Sequence, residues 1–143
     1  MFDLCAGNGI LGLGALKIGS SSVVLVETDS ERSRCSARNA EKVSENVLEI
    51  HTTWGQLGTH PVVQDIDEGT VIVATCHIDG PADWTMNEAL VLMNPPFGTV
   101  IKGSDRVPIK AACAMKPRII EIMHSRHATH LRPLMESGGY MVE

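Results

Sequence analysis

Asn94-Pro95-Pro96-Phe97-Gly98 follows an apolar run and combines groups that could act on a planar amine. Each proline restricts the residue before it to extended backbone, so Asn94 and Pro95 form a stiff corner. This corner presents two hydrogen-bond acceptors, the Asn94 side-chain oxygen and the Pro95 carbonyl, and an exocyclic amine has two N–H donors. Accepting both bonds would free the nitrogen lone pair for attack on an electrophilic methyl group, so the motif predicts catalysis by positioning.

Phe97 adds an aromatic face on which a base can stack, provided that the base is unpaired or flipped out of a helix. Asn94, Pro95, Pro96 and Phe97 are therefore the candidate catalytic residues. On these residue types alone, a plain Pro-Pro turn with Phe97 in the core stays an open alternative.

The second candidate site is a glycine-rich turn that runs from Asp3 to Gly12. Its Gly7-x-Gly9-x-x-Gly12 pattern, with Glu27 ending the next apolar run, formally matches a dinucleotide fingerprint. Glu27 could bind the ribose diol of either a nicotinamide or an adenosyl cofactor. Asp3 favours the second, because a carboxylate there would repel pyrophosphate and attract the amino group of S-adenosylmethionine.

Alternating strands and helices must position these residues. The pattern predicts an α/β fold with a mostly parallel, doubly wound, Rossmann-like sheet. We expect strands at Met1–Leu4, Val23–Val26, Leu90–Met93, Arg118–Met123 and Tyr140–Val142, and helices at Ile10–Ile18, from Asp29 or Ser30 to Val43, at Ile109–Met115 and at Ala128–Glu136. Right-handed crossovers would bring the glycine turn, Glu27, the His77 region and Asn94 to one edge of the sheet.

The middle of the chain offers two segments for the third strand, Val47–His51 and Val71–Thr75. The second is richer in β-branched residues and is preferred. Residues 44–69 then become a polar insertion within a single domain spanning residues 1–143.

Composition narrows the class of protein. Residues 1–99 carry five basic and thirteen acidic side chains, whereas residues 100–132 carry seven basic and two acidic ones. This asymmetry indicates either that the later stretch faces a polyanion or that it is a solvated helix face. The N-terminus resembles no secretory signal and no run suits a membrane span, so a cytoplasmic or nuclear protein is expected.

Scattered cysteines and histidines predict no metal site. The four cysteines form no Cys-x-x-Cys pair, and His124, His127 and His130 lack an obvious fourth ligand. Trp54 and Trp84 are expected to pack in the core.

Both motifs together resemble the amino-methyltransferase class of seven-stranded Rossmann-like methyltransferases. Within that class the chain resembles the methyltransferase-like protein 5 family, adenine-N6 methyltransferases of small-subunit ribosomal RNA. The resemblance rests on Asp3–Gly9, Glu27-Thr28-Asp29, Arg38-Asn39-Ala40-Glu41, Met93–Thr99, Lys102-Gly103-Ser104-Asp105 and His124. It covers most of the chain except about residues 44–69.

The resemblance implies S-adenosylmethionine as cofactor, ribosomal RNA as substrate, and a small zinc-binding activator subunit as partner. The glycine turn and the resemblance together predict nine cofactor-binding residues: Asp3, Cys5, Gly7, Asn8, Gly9, Ile10, Glu27, Thr28 and His77. Glu27 replaces the family's aspartate, Cys5 replaces its usual glycine, and His77, with Asp79 two residues on, stands where the family has an acid. The resemblance also implies that an upstream cofactor-binding segment and the last strands are absent.

Three other functions stay open from the residues. An NAD-dependent oxidoreductase would use the same glycine turn, and a non-catalytic cofactor- or RNA-binding module would share the fold. Within the methyltransferases, a glutamine amide or a guanine amine is an alternative acceptor, and Phe97 in place of tyrosine favours adenine.

Overall fold

The computed structural model describes residues 1–96 and 103–143. Its strands are β1 (Phe2–Leu4), β2 (Val23–Glu27), β3 (Val47–His51), β4 (Val71–Thr75), β5 (Leu90–Met93) and β6 (Ile119–Ile122). Its helices are α1 (Ile10–Lys17), α2 (Ser30–Ala40), α3 (Trp54–Leu57), α4 (Pro61–Gln64), α5 (Arg106–Ala114) and α6 (Leu131–Ser137). Within these two ranges, none of the helices has the length and apolar character needed to cross a bilayer.

The strands form one sheet in the order β3-β4-β2-β1-β5-β6, and every pairing is parallel. From β1 the chain forms one side of the sheet, where β4 inserts between β2 and the edge strand β3, and then returns to add β5 and β6 on the other side. The strand order therefore reverses between β1 and β5, and ligands of open α/β sheets bind beyond the strand ends at such a reversal. The predicted doubly wound α/β sheet is confirmed.

Strand β2 is apolar without interruption from Val23 to Val26, and its packing explains why. Val24 and Val26 face one core cluster, which also contains Leu4 and Trp54, whereas Val23 and Leu25 face a second cluster under α1 and α2. Successive side chains point to opposite faces of a strand, so a central strand covered on both faces is apolar at every position.

Residues 44–69 differ from the expected polar insertion. Val47–His51 and Val71–Thr75, which competed for one strand position, are both strands, paired in register from Val47 with Val71 to His51 with Thr75. The preferred segment lies beside β2, and the other forms the sheet edge, where half-exposed and polar residues are tolerated. The short helices that follow bury Trp54 against Trp84, with ring centroids 4.8 Å apart, so the prediction that both tryptophans pack is confirmed.

Several element boundaries differ from those expected, and one expected strand is missing. Helix α2 is capped by Asp29 as expected, but it ends at Ala40 rather than Val43. Helix α5 spans Arg106–Ala114 rather than Ile109–Met115, and α6 spans Leu131–Ser137 rather than Ala128–Glu136. Each includes a proline in its first turn, a position where the missing N–H has no helical partner anyway. The strand expected at residues 140–142 is absent; Arg132 Nη1 donates to the Val142 carbonyl, and the Tyr140 hydroxyl donates to the Pro117 carbonyl at 2.8 Å.

Candidate active site

The glycine turn between β1 and α1 is built from left-handed backbone. Gly7 has φ 58° and Gly9 has φ 81°, and Cys5 adopts φ 61° although it carries a side chain. For a residue with a Cβ, that conformation costs about 1 kcal/mol. The turn is held by the Gly9 amide, which donates to the Ala6 carbonyl at 2.8 Å, and by the Ala6 amide, which donates to Val26 at 3.0 Å.

Glu27, at the end of β2, joins this turn to the next strand. Its Oε2 accepts the Gly7 amide at 2.8 Å and its Oε1 accepts the Asp29 amide at 2.9 Å, while the residue is 6% exposed. Each carboxylate oxygen keeps a further lone pair, so Glu27 can still accept a hydroxyl. Its buried charge is thus compensated by backbone donors at the position expected for a ribose-binding acid.

Asp3 lies beneath the turn. It is 1% exposed, its Oδ2 accepts the Gly12 amide at 2.8 Å, and its Oδ1 has no hydrogen-bond partner among the described residues. Burial raises the pKa of Asp3 to about 6; the Gly12 amide opposes this shift and the nearby Glu27 charge adds to it. A buried acceptor without a partner is costly, and a cationic ligand group would satisfy it.

A cavity of about 510 Å³ opens at this edge of the sheet. Six of the residues predicted from the sequence line it: Cys5, Glu27, Thr28, His77, Asn94 and Pro96. Asp3, Gly7, Asn8, Gly9, Ile10 and Pro95 are outside its wall, and Phe97 lies outside the described residues. The two motifs, 82 or more residues apart in the chain, therefore reach one cavity.

The proline corner, Asn94-Pro95-Pro96, begins where β5 ends. Asn94 is exposed to the cavity and Pro95 is buried, so the corner is anchored on one side and open on the other. Met93 pairs with Leu4 of β1, which places Asn94 next to Cys5 at the start of the glycine turn. Whether Phe97 stacks on a base stays a prediction.

The two thiols in the cavity wall are not nucleophiles at neutral pH. Burial, with the charges of Glu27 and Asp3, raises the pKa of Cys5 to about 12. Burial and the charge of Asp79 raise the pKa of Cys76 to about 11. Because the thiolate is the reactive form of cysteine, covalent catalysis through either sulfur is disfavoured.

His77 occupies the wall beside Glu27. Its Nδ1 lies 3.0 Å from the Thr28 hydroxyl, and Asp79 lines the cavity two residues further on. Although His77 replaces the acid that the resemblance predicts here, His77 and Asp79 keep this part of the cavity wall polar. Both side chains are placed where they can contact a ligand held by Glu27.

Several wall residues were not predicted: Val26, Arg32, Cys76, Ile78, Ser104, Val107 and Pro108. Val107 and Pro108 come from the first turn of α5, which begins three residues before the expected Ile109. The proline at position 108 was the available signal, because proline is compatible with a first helical turn. Arg32 comes from the first turn of α2, and only the fold shows that this turn faces the cavity.

Comparison with known proteins identifies solved structures that have a similar fold. The chain matches no family model and no curated protein. It is similar in structure to a candidate RNA methyltransferase from Pyrococcus horikoshii, with 22% identity and a TM-score of 0.63 over 95% of this chain and 53% of that one. A protein from Thermoplasma acidophilum gives 23% identity and a TM-score of 0.62 over 95% of this chain and 57% of the other.

The chain thus spans a little over half the length of each of these two structures. Its parallel sheet, with the strand order reversing between β1 and β5, shares the Rossmann-like α/β fold of these two structures.

Proposed function

We propose that this chain transfers the methyl group of S-adenosylmethionine to the N6 amine of an adenine in RNA, with small-subunit ribosomal RNA as the expected substrate. One observation carries the proposal. Asn94 and Pro96 of the proline corner line the same cavity as Cys5 and Glu27 of the glycine turn. An amine held by the corner would therefore face a donor held by the turn.

The residues present fit the donor. The cavity of about 510 Å³ lies within the size range of ligand pockets. The unpartnered Oδ1 of Asp3 can accept from an ammonium group, provided that this group reaches beneath the turn. Glu27 can accept from a ribose hydroxyl while it keeps its two backbone bonds.

The chemistry follows from the corner. Bound S-adenosylmethionine supplies an electrophilic methyl group. The Asn94 side-chain oxygen and the Pro95 carbonyl would each accept a hydrogen bond from one N–H group of the amine. This would localise the nitrogen lone pair and aim it at the donor side of the cavity. With the donor bound, the C–N bond would form as the C–S bond of the donor breaks, and the amine proton would pass to solvent. No thiolate or general base is required.

The proposal includes a small zinc-binding activator subunit. The resemblance of the sequence implies it, and exposed apolar side chains support it. Leu90 and Ile119 are register partners on neighbouring strands and are 41% and 45% exposed. Contiguous exposed apolar surface is a mark of interaction sites, and this pair would form part of such a surface.

The test has a binding step and a transfer step. S-adenosylhomocysteine should bind in a calorimetric titration, and labelled donor with total RNA should yield N6-methyladenosine after digestion to nucleosides, with and without the activator subunit. Asn94→Ala should lower the transfer rate by about 10²-fold, the scale for losing one transition-state hydrogen bond, and leave donor binding unchanged. Asn87→Ala, an exposed asparagine outside the cavity wall, is the matched control.

Other results would contradict the proposal in different ways. Binding of NADH without S-adenosylhomocysteine would indicate an oxidoreductase. Full activity in Asn94→Ala would show that the proline corner does not bind the acceptor amine as proposed. Label in methylated guanine or in protein glutamine would keep the enzyme class and change the acceptor.

A further inference from the structure

Asp105, His124 and His130 form a cluster beside the cavity. Asp105 Oδ2 lies 3.0 Å from His124 Nε2 and 2.5 Å from His130 Nε2, and the Asp105 side chain is 2% exposed. His127, which the sequence groups with these two histidines, contacts Arg126 and Ser125 instead. The cluster therefore contains His124 and His130 but not His127.

The three side chains are of types that bind zinc, and their ligand atoms lie within 4.8 Å of one another. The hydrogen bond at His124 Nδ1 indicates that the cluster is held by hydrogen bonds and does not bind a metal ion. His124 Nδ1 accepts the Ser125 amide at 2.8 Å, so in the neutral ring the proton is on Nε2. A metal-binding histidine has the opposite arrangement, with a free lone pair on the ligating nitrogen and a donor at the other.

The state of Asp105 agrees with this interpretation. Burial alone would raise its pKa, but the hydrogen bond and charge of His130, followed by the hydrogen bond of His124, lower it below the ordinary value. Asp105 is therefore a carboxylate that accepts from both rings. Hydrogen bonds to a charged group are among the stronger ones in proteins.

The cluster lies between the residues that follow β5 and β6 and the start of α5, close to the proline corner. Met93 pairs with Ile122, and the Met123 amide donates to the Met93 carbonyl at 2.9 Å, so His124 follows β6 alongside the residues that follow β5. On the other side, Asp105 precedes α5 and is flanked by Ser104, Val107 and Pro108, all in the cavity wall.

We infer that Asp105 is a positioning residue. Through its bonds to His124 and His130 it fixes the start of α5, and hence one wall of the cavity, at a set distance from Asn94. The inference rests on the proposed function, since the base to be positioned is the acceptor. Loss of the bonds should impair use of RNA more than binding of the donor.

Three variants of the full chain test the inference kinetically. His124→Ala removes the Nε2 donor, His124→Gln restores an N–H near the same place, and His127→Ala is the control. We expect His124→Ala to lower kcat/KM for RNA about tenfold, the scale of one hydrogen bond to a charged group, with S-adenosylhomocysteine affinity unchanged. His124→Gln should recover most of the loss, and His127→Ala should show none.

A second measurement does not depend on methyl transfer. Amide hydrogen exchange of residues 103–109 should be about tenfold faster in His124→Ala than in the wild type, again the scale of one hydrogen bond to a charged group, with β1 and β2 unchanged. Absence of S-adenosylhomocysteine binding and methyl transfer in the wild type would refute the proposed function, while the exchange data would still decide whether Asp105 fixes the start of α5. Unchanged exchange in His124→Ala, or equal losses in the alanine and glutamine variants, would overturn the inference. So would one equivalent of zinc that is lost in His124→Ala.

Discussion

At the scale of single residues, Asp3 connects stability to function. Its burial raises the pKa from 3.8 to about 6. Between these values the folded protein holds a proton that the unfolded chain has released, so the free energy of unfolding falls as the pH rises through this window. At neutral pH the folded chain thus retains a destabilising charge, which a cationic ligand group would compensate.

Replacing Asp3 tests this connection. Asp3→Asn should raise the free energy of unfolding at pH 8 by ~1–3 kcal/mol, because the ionised form is no longer buried. The gain should almost vanish at pH 4, and affinity for S-adenosylhomocysteine should fall about tenfold through loss of a charge-assisted hydrogen bond. Urea unfolding at both pH values and calorimetric titration measure these effects. A gain of the same size at pH 4 and pH 8 would show that ionisation is not its cause.

How far the site was predictable also depends on single residues. Glu27 and Asn94 were identified because each follows an apolar run and brings its own chemistry to a strand end. Arg32 and Ser104 carry no such local signal, and the fold alone brings them to the cavity. The role of Phe97 stays a prediction, since it lies outside the described residues.

At the scale of elements, α1 approaches the sheet closely because of one glycine. A Cβ on Gly12 would lie 2.4 Å from Leu25 Cδ2 and 2.9 Å from Val23 Cγ1, both on fully buried side chains of β2. A Cβ on Gly14, in the same helix, would meet nothing within 4 Å. Of the two glycines in α1, Gly12 is therefore required for packing, whereas Gly14 is solvent-exposed.

These two glycines make a matched pair. Gly12→Ala should lower the free energy of unfolding by ~1–3 kcal/mol, because the extra methyl group overpacks the core under α1. Gly14→Ala should raise it by ~0.5–1 kcal/mol, because alanine loses less backbone entropy in a helix. Chemical denaturation of both variants measures the difference. Equal effects of the same sign would mean that α1 does not lie as close to β2 as described.

Elements also show where sequence patterns are insufficient. Central strands such as β2 and β4 are apolar at every position except the last and were identified from that pattern. Strand β3 is at the edge, with Glu49 and His51 exposed. Its sequence is therefore less apolar than Val71–Thr75 and gives a weaker prediction of a strand. Its pairing to β4 is non-local, and no periodicity within residues 44–69 encodes it.

At the scale of the whole molecule, charge is divided along the chain. The net charge is −5, but seven of the twelve basic residues fall between residues 100 and 132. Arg106, Lys110, Arg118 and Arg126 are exposed there, and the start of α5 also lines the cavity. Under the proposed function this stretch would contact RNA phosphates, while the acidic remainder would not.

Salt dependence separates phosphate contacts from a merely solvated surface. We expect Lys110→Ala combined with Arg118→Ala to reduce the slope of log affinity against log salt by about 0.7 per lost contact on single-stranded RNA, because fewer counterions are released. Lys17→Ala combined with Arg38→Ala removes the same charge from exposed positions in the acidic part of the chain and should leave the slope unchanged. Fluorescence anisotropy of labelled RNA at several salt concentrations gives both slopes. If the two pairs change the slope equally, the protein attracts RNA only through its total charge, and the basic stretch has no particular role.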